Sequence, residues 1–123
     1  MKLWIDDVRP APEGYVWCKS VNDTIVAIKE AEVLREYHIN KISLYRLNGN
    51  LEHIHKVQHY TIELIDLDHD AGDYASDGGD YIRLLDWLEG TGHNYPIRIH
   101  SANAVGVQNM RRIIQRNGWK EVF

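Results

Sequence analysis

The stretch "IELIDLDHDAG", residues 62–72, falls into two halves of different character: an apolar run through Leu67, then Asp68, His69 and Asp70 in succession. A short run rich in Ile and Leu that ends in a polar turn reads as a buried strand, the kind that builds parallel sheets. In an open parallel sheet, ligands bind outside the carboxyl ends of the strands. The residues just past each strand therefore carry the functional reading.

Working outward, strand-length apolar stretches recur at "KLWI" (Lys2–Ile5), "YVWC" (Tyr15–Cys18), "IRIH" (97–100) and "WKEVF" (119–123). Three helix signals lie between them. Ser20 followed by Asp23 is a capping box, after which Val21, Ile25, Ile28 and Leu34 mark one buried stripe. A second helix begins near Asp77 and Asp80, read as its capping residues, carries Tyr81, Leu84, Leu85 and Leu88, and stops around Gly90 and Gly92. A third begins after Asn103, buries Val107, Met110 and Ile114, and stops at Gly118.

Strands alternating with helices of this length argue for right-handed crossovers and a three-layer α/β sandwich on a mostly parallel sheet, in the order β-β-α-β-α-β-α-β. The first connection, "DVRPAPEG", is too short for a crossover helix, so the first crossover is abbreviated. The scheme treats residues 1–123 as one domain. Residues 37–60 fit it least and are expected as an insertion, with "KISLYRL" as an extra strand and "GNLEHIHKVQHY" as a helix or return strand.

Composition narrows the setting. Charged residues are 26% of the chain, the net charge is -4 and the single cysteine is Cys18, which excludes an internal disulfide and any site built on several thiolates. No apolar run has the length of a membrane span, and a soluble, cytoplasmic protein is expected. The acidic balance argues against an extended nucleic-acid surface. Arg111, Arg112, Arg116 and Lys120 are expected on a solvated helix face, and Trp4, Trp17, Trp87 and Trp119 in the core or over the sheet.

The strand ends converge. Asp6 and Asp7 follow the first strand, Asp68, His69 and Asp70 the third, and His100, Ser101 and Asn103 the fourth. Carboxylates brought this close repel one another unless a cation offsets them, and oxygen ligands favour a hard ion, Mg²⁺ or Mn²⁺. Asp6, Asp7 and Asp68, with Asp70 beside them, are the expected ligands. The small residues of "HSANAVG" lead into a helix capped by Asn103, a setting for phosphate, with Arg9 as a clamp. His69 and His100 are candidates for general acid and base. An alternative calcium-loop reading of "DLDHDAGDYASD" fails on the displaced Gly72 and the preceding strand. The histidines His53, His55 and His59 lack the rest of a zinc set, and the single "HYT" at residues 59–61 lacks the second copy that a two-histidine phosphoesterase needs.

The blocks "LWIDDVRPAPEGY", "LDHDAG" and "HSANAVGVQNM" are similar to the signature blocks of the cyclic-phosphate-processing receiver-like family, a branch of the response-regulator receiver fold. The resemblance implies a Rossmann-like, flavodoxin-like sheet and a divalent metal on Asp6, Asp7 and Asp68. It further implies that Asp68 is the counterpart of the receiver phosphoacceptor, Ser101 that of its hydroxyl residue, and cyclic phosphate ends, of RNA or of a small molecule, the substrates. Ala71 and Ala104 stand where the family usually has Leu and Pro, and Lys120 is a poor substitute for the lysine that signalling receivers carry after the last strand. The expected function is a divalent-metal-dependent phosphoesterase acting on a cyclic phosphate or phosphodiester, with Asp68 as nucleophile or as ligand only. The alternative is a receiver-like domain that takes up or binds phosphate without turnover. Oligomeric state is not legible in the sequence.

Overall fold

A computed structural model describes residues 1–44 and 50–123. Five strands, β1 (Lys2–Ile5), β2 (Tyr15–Cys18), β3 (Leu64–Leu67), β4 (Ile97–Ile99) and β5 (Glu121–Val122), form one sheet in the order β2-β1-β3-β4-β5, every neighbouring pair parallel. Among the described residues four α-helices accompany them, α1 (Val21–Leu44), α2 (Asn50–Tyr60), α3 (Ile82–Gly90) and α4 (Ala104–Asn117), with a short 3₁₀ turn at Gly72–Ser76. This is the parallel α/β arrangement expected from strands alternating with helices, and the receiver-like form that the family resemblance implies.

The register explains where the core sits. Leu3 pairs with Ile65 and Ile5 with Leu67, while Ile65 pairs with Ile97, so one face of the sheet presents a continuous apolar surface that is completely buried. Tyr81, Leu84, Leu85 and Leu88 from the α3 segment and Met110 and Ile114 from α4 close over it. The β2-to-β3, β3-to-β4 and β4-to-β5 crossovers all advance in one direction across the sheet. Right-handed connection therefore places α1, α3 and α4 on that same face. The β1-to-β2 crossover runs the opposite way, and as its length implies it carries no helix, so among the described residues the sheet has helices on one face and lacks the third layer expected of the sandwich. The second face is covered by its own side chains, among them Trp4, Asp66 and Arg98, which share one register row.

Helix ends follow the sequence signals with one exception. Ser20 Oγ accepts from Asp23 N at 3.0 Å to open α1, and Asn103 Oδ1 accepts from Gly106 N at 2.9 Å to open α4, which ends on Gly118 in the left-handed conformation. Asp77 and Asp80 do not cap α3, whose N-cap is Tyr81 without a side-chain bond. Asp77 instead reaches α1, accepting from Ser20 Oγ at 2.7 Å and Asn22 Nδ2 at 3.0 Å, and Asp80 accepts from Ala71 N at 3.0 Å. These acids brace the loop after β3.

The segment expected as an insertion is a helical hairpin. Residues 41–44 of "KISLYRL" belong to α1 rather than to an extra strand, 45–47 lie outside the described residues, and α2 settles the helix alternative for residues 50–60. The helical period prevails because α2 packs along α1, giving half-buried Val57 and Tyr60 a helical partner instead of a sheet edge. Leu34, expected in the buried stripe, is exposed because α1 outruns the four-residue strands beneath it. Trp119 is buried and Trp4 and Trp87 are half-buried, but Trp17 is exposed on the edge strand β2.

Candidate metal centre

Two neighbouring strands deliver the acidic groups to one rim. Asp6 and Asp7 leave β1 and Asp68 leaves the adjacent β3, tied down by the bond from Asp68 N to Ile5 O at 2.9 Å. One carboxylate oxygen from each of Asp6, Asp7 and Asp68 lies within 4.8 Å of the others. Asp6 is almost fully buried, and Asp7 and Asp68 are half-buried.

The three acids differ in how far the protein already satisfies them. Asp6 Oδ1 accepts from Val8 N at 2.9 Å and Arg9 N at 2.8 Å, and Oδ2 faces His100 Nε2 at 2.9 Å. Burial alone would raise the Asp6 pKa, but the two backbone bonds and His100 outweigh it and hold the carboxyl below its ordinary value. Asp68 Oδ1 accepts from His69 N at 2.7 Å. Among the described residues, Asp7 has no hydrogen bond or ion pair for its carboxylate, and Asp68 has none for Oδ2. Oxygen donors from three residues, two of them with unsatisfied carboxylate oxygens, suit a hard divalent cation, which keeps waters in its remaining positions. Tyr81, buried with its hydroxyl donating to Lys19 O at 2.7 Å, has a raised pKa from burial and from the charges of Asp7, Asp6 and Asp68.

Gly72 is part of the construction. Its φ is +55°, and a Cβ there would overlap Asp7 Oδ2. Only glycine allows both the left-handed turn and the close approach of the carboxylate.

The remaining expected residues divide into two groups. His69 lies against the start of α4, where a Cβ on Gly106 would come within 2.5 Å of the ring. Its Nδ1 faces Asp70 Oδ1 at 2.9 Å and Asn103 Nδ2 at 3.4 Å, and the His69 bond draws the Asp70 pKa down. Asp70 is thus exposed and paired with His69, apart from the three-acid cluster. Ser101 Oγ accepts from Asn103 N at 3.1 Å, shaping the corner ahead of α4, whose Ala104 and Val105 N–H groups have no intrahelical partner. Arg9 folds back with Nε 3.7 Å from Asp6 Oδ2.

His100 is held differently. Nε2 faces Asp6, Nδ1 faces Asp66 Oδ1 at 2.6 Å, and the ring stacks on Trp4 at 3.7 Å between centroids and 4° between planes. Both nitrogens are engaged by protein carboxylates. Asp66, wholly buried in the middle of β3, is the residue that the strand reading passed over, although a charge inside "LIDL" signals a buried partner.

Lys19 was also missed. It follows β2 at this same rim, its ammonium 4.5 Å from the Trp17 ring centroid and 6.0 Å from that of Tyr74. Lys120 precedes β5, at the opposite edge of the sheet. Two basic residues of α4 are paired with acids: Arg111 Nε meets Glu121 at 2.8 Å, and Arg116 grips both oxygens of Glu89 at 2.9 Å. His53, His55 and His59 lie on α2, with His53 Nδ1 at 2.8 Å from His38 Nδ1 of α1. A cavity of about 510 Å³ lined by Glu32, Arg35, Tyr60, His93 and Tyr95 lies at the strand starts, away from the acids.

Among the described residues no helix is long and apolar enough to cross a membrane. A family model described as the cyclic-phosphate processing receiver domain matches residues 1–44 and 45–116, running through the hairpin as well as the three sequence blocks. No curated protein and no solved structure matches the chain.

Proposed function

From the premise that the chain belongs to the cyclic-phosphate processing receiver domain family, we propose that it is a divalent-metal-dependent phosphoesterase that opens cyclic phosphates or cleaves phosphodiesters, including those at RNA ends. The observation that carries this reading is the pairing of an unsatisfied Asp7 carboxylate with the free Oδ2 of Asp68, beside a buried Asp6 that the backbone keeps ionised. Asp6, Asp7 and Asp68 would hold Mg²⁺ or Mn²⁺, and the ion when bound would supply positive charge to the phosphoryl oxygens.

The chain supplies the rest. The Ser101 hydroxyl, the Asn103 amide and the open N–H groups of the first turn of α4 receive a phosphate oxygen, and Arg9 and Lys19 add cations at the rim. Hydrolysis adds water across one P–O bond: the hydroxide part joins phosphorus, and the departing ester oxygen takes a proton. His69 moves that proton from Nε2, since Asp70 fixes its Nδ1 side and sets the ring's orientation. Asp70 acts there as an orienting group. His100, with both nitrogens engaged, stays out of the proton transfer to substrate.

The free Oδ2 of Asp68 also suits a second reading, in which that oxygen takes up a phosphoryl group and the domain serves as a switch. The two separate in one experiment. The purified protein is given an oligonucleotide ending in 2′,3′-cyclic phosphate with Mg²⁺, Mn²⁺ or chelator, beside Asp68→Asn. Multiple turnover that needs metal and is lost in Asp68→Asn supports the phosphoesterase. Absence of turnover, together with stoichiometric phosphorylation by a small phosphodonor, overturns it in favour of the switch.

A further inference from the structure

The acidic centre has a second layer that lies along the helix-free face of the sheet. Asp66 Oδ1 lies 2.6 Å from His100 Nδ1, and His100 Nε2 lies 2.9 Å from Asp6 Oδ2. Both carboxylates are about 1% exposed and the imidazole between them is largely buried. Trp4 clamps the ring from one side by flat stacking, so the imidazole can tilt little without losing that contact. Arg98 Nη1 stands 3.7 Å from Asp66 Oδ2, an oxygen that makes no hydrogen bond.

A carboxylate at this position works against folding. Its neighbours in β3, Ile65 and Leu67, are fully buried apolar residues, and a buried carboxylate oxygen without a hydrogen bond is costly. An apolar side chain would remove that cost. What Asp66 provides in return is an acceptor for one edge of His100, which aims the opposite edge at Asp6. A carboxylate behind an imidazole fixes ring orientation in the same way in other sites, and such outer partners shape the affinity of the ligands in front of them.

We infer that Asp66 is a positioning residue of the metal centre: acting through His100, it sets the orientation of the Asp6 carboxylate. The inference rests on the reading of Asp6, Asp7 and Asp68 as a cation site. It commits Asp66 to no contact with substrate or ion. Trp4 belongs to the same device as the surface on which the ring lies.

The test measures Mn²⁺ binding by titration calorimetry, so its outcome does not depend on turnover. Native protein, Asp66→Asn, His100→Gln and the double variant are compared, with metal-free melting curves to establish that each is folded. The expected result is a loss of roughly tenfold to a hundredfold in affinity for Asp66→Asn. The double variant should be no worse than His100→Gln alone, because Asp66 acts only through the ring. A merely structural role would lower the melting temperature while leaving affinity unchanged, and effects that add in the double variant would equally overturn the inference. Failure of the native protein to bind Mn²⁺ would instead remove the metal site itself. Should Asp66→Asn not fold, the native protein still decides: the His100 Nδ1 proton must appear in ¹⁵N-edited spectra as a downfield, slowly exchanging resonance, and its absence overturns the hydrogen bond on which the inference stands.

Discussion

Gly72 and Asp7 occupy space that a larger residue would deny them, since any Cβ at Gly72 would overlap the Asp7 carboxylate while the backbone holds a φ of +55°. Gly72→Ala should therefore cost about 1–2 kcal/mol from the left-handed backbone alone. It should also push Asp7 out of the cluster. Thermal melts with and without Mg²⁺ separate the two effects: a lower metal-free melting temperature reports the backbone, and a smaller Mg²⁺ response reports the ligand. An unchanged Mg²⁺ response would remove Asp7 from the site.

Asp7→Asn should behave in the opposite sense without metal. Three carboxylates with oxygens inside 4.8 Å repel one another, and removing the one with no internal partner relieves about 1 kcal/mol or more. The metal-free melting temperature is expected to rise by roughly 3–6 °C while the gain from Mg²⁺ disappears. A fall on both counts would mean that Asp7 is a structural group.

Gly106→Ala sets helix propensity against packing. Alanine in the first turn of α4 improves the helix by up to about 1 kcal/mol, yet its methyl carbon would sit 2.5 Å from the His69 ring. His69 must then shift from Asp70 and Asn103. Stability within about 1 kcal/mol of native with a fall in kcat of at least roughly tenfold is expected, measured by urea denaturation and steady-state kinetics. Full activity would take His69 out of the proton transfer.

Asp77 should give the protein an acid-sensitive seam. Its pKa lies below the ordinary 3.8 because Ser20 and Asn22 donate to the carboxylate. A depressed folded pKa means that the unfolded chain binds the proton more readily, so the contribution is present above the unfolded value and is lost as pH falls through the folded one. Unfolding free energy measured from about pH 6 downward should decline below about pH 4–5, and Asp77→Asn should flatten part of that decline. Identical slopes in the two proteins would show that the bonds to Ser20 and Asn22 carry no stability.

Much of the fold was legible because local chemistry decided it. Short apolar runs located the strand cores and the helical pattern the helices, and Ser20, Asn103 and Gly118 marked helix ends through bonds that span only a few residues. Asp6, Asp7 and Asp68 could be grouped because parallel strands deliver their ends to one rim. Asp77 was misread as an α3 cap because its partners, Ser20 and Asn22, lie 57 and 55 residues away. The partner of Asp66 stays hidden for a related reason: within "LIDL" the residue looks like an interruption of a strand or the start of a calcium loop, and only the fold shows it bonded to His100, 34 residues on. The hairpin of α1 and α2 shows no unbroken apolar stripe over its outer half, because there each helix has one partner and water on the other sides.

The missing helix in the first crossover has a thermodynamic side. Denaturant sensitivity and the heat capacity of unfolding both scale with the surface newly exposed to water. A sheet lined by helices on one face, with Trp4, Asp66 and Arg98 forming the other cover, gives up less hidden surface than a sheet lined on both. The chain should therefore unfold over a broader range of urea than its length suggests, with a stability curve that bends less steeply with temperature than that of a doubly lined sheet of equal size.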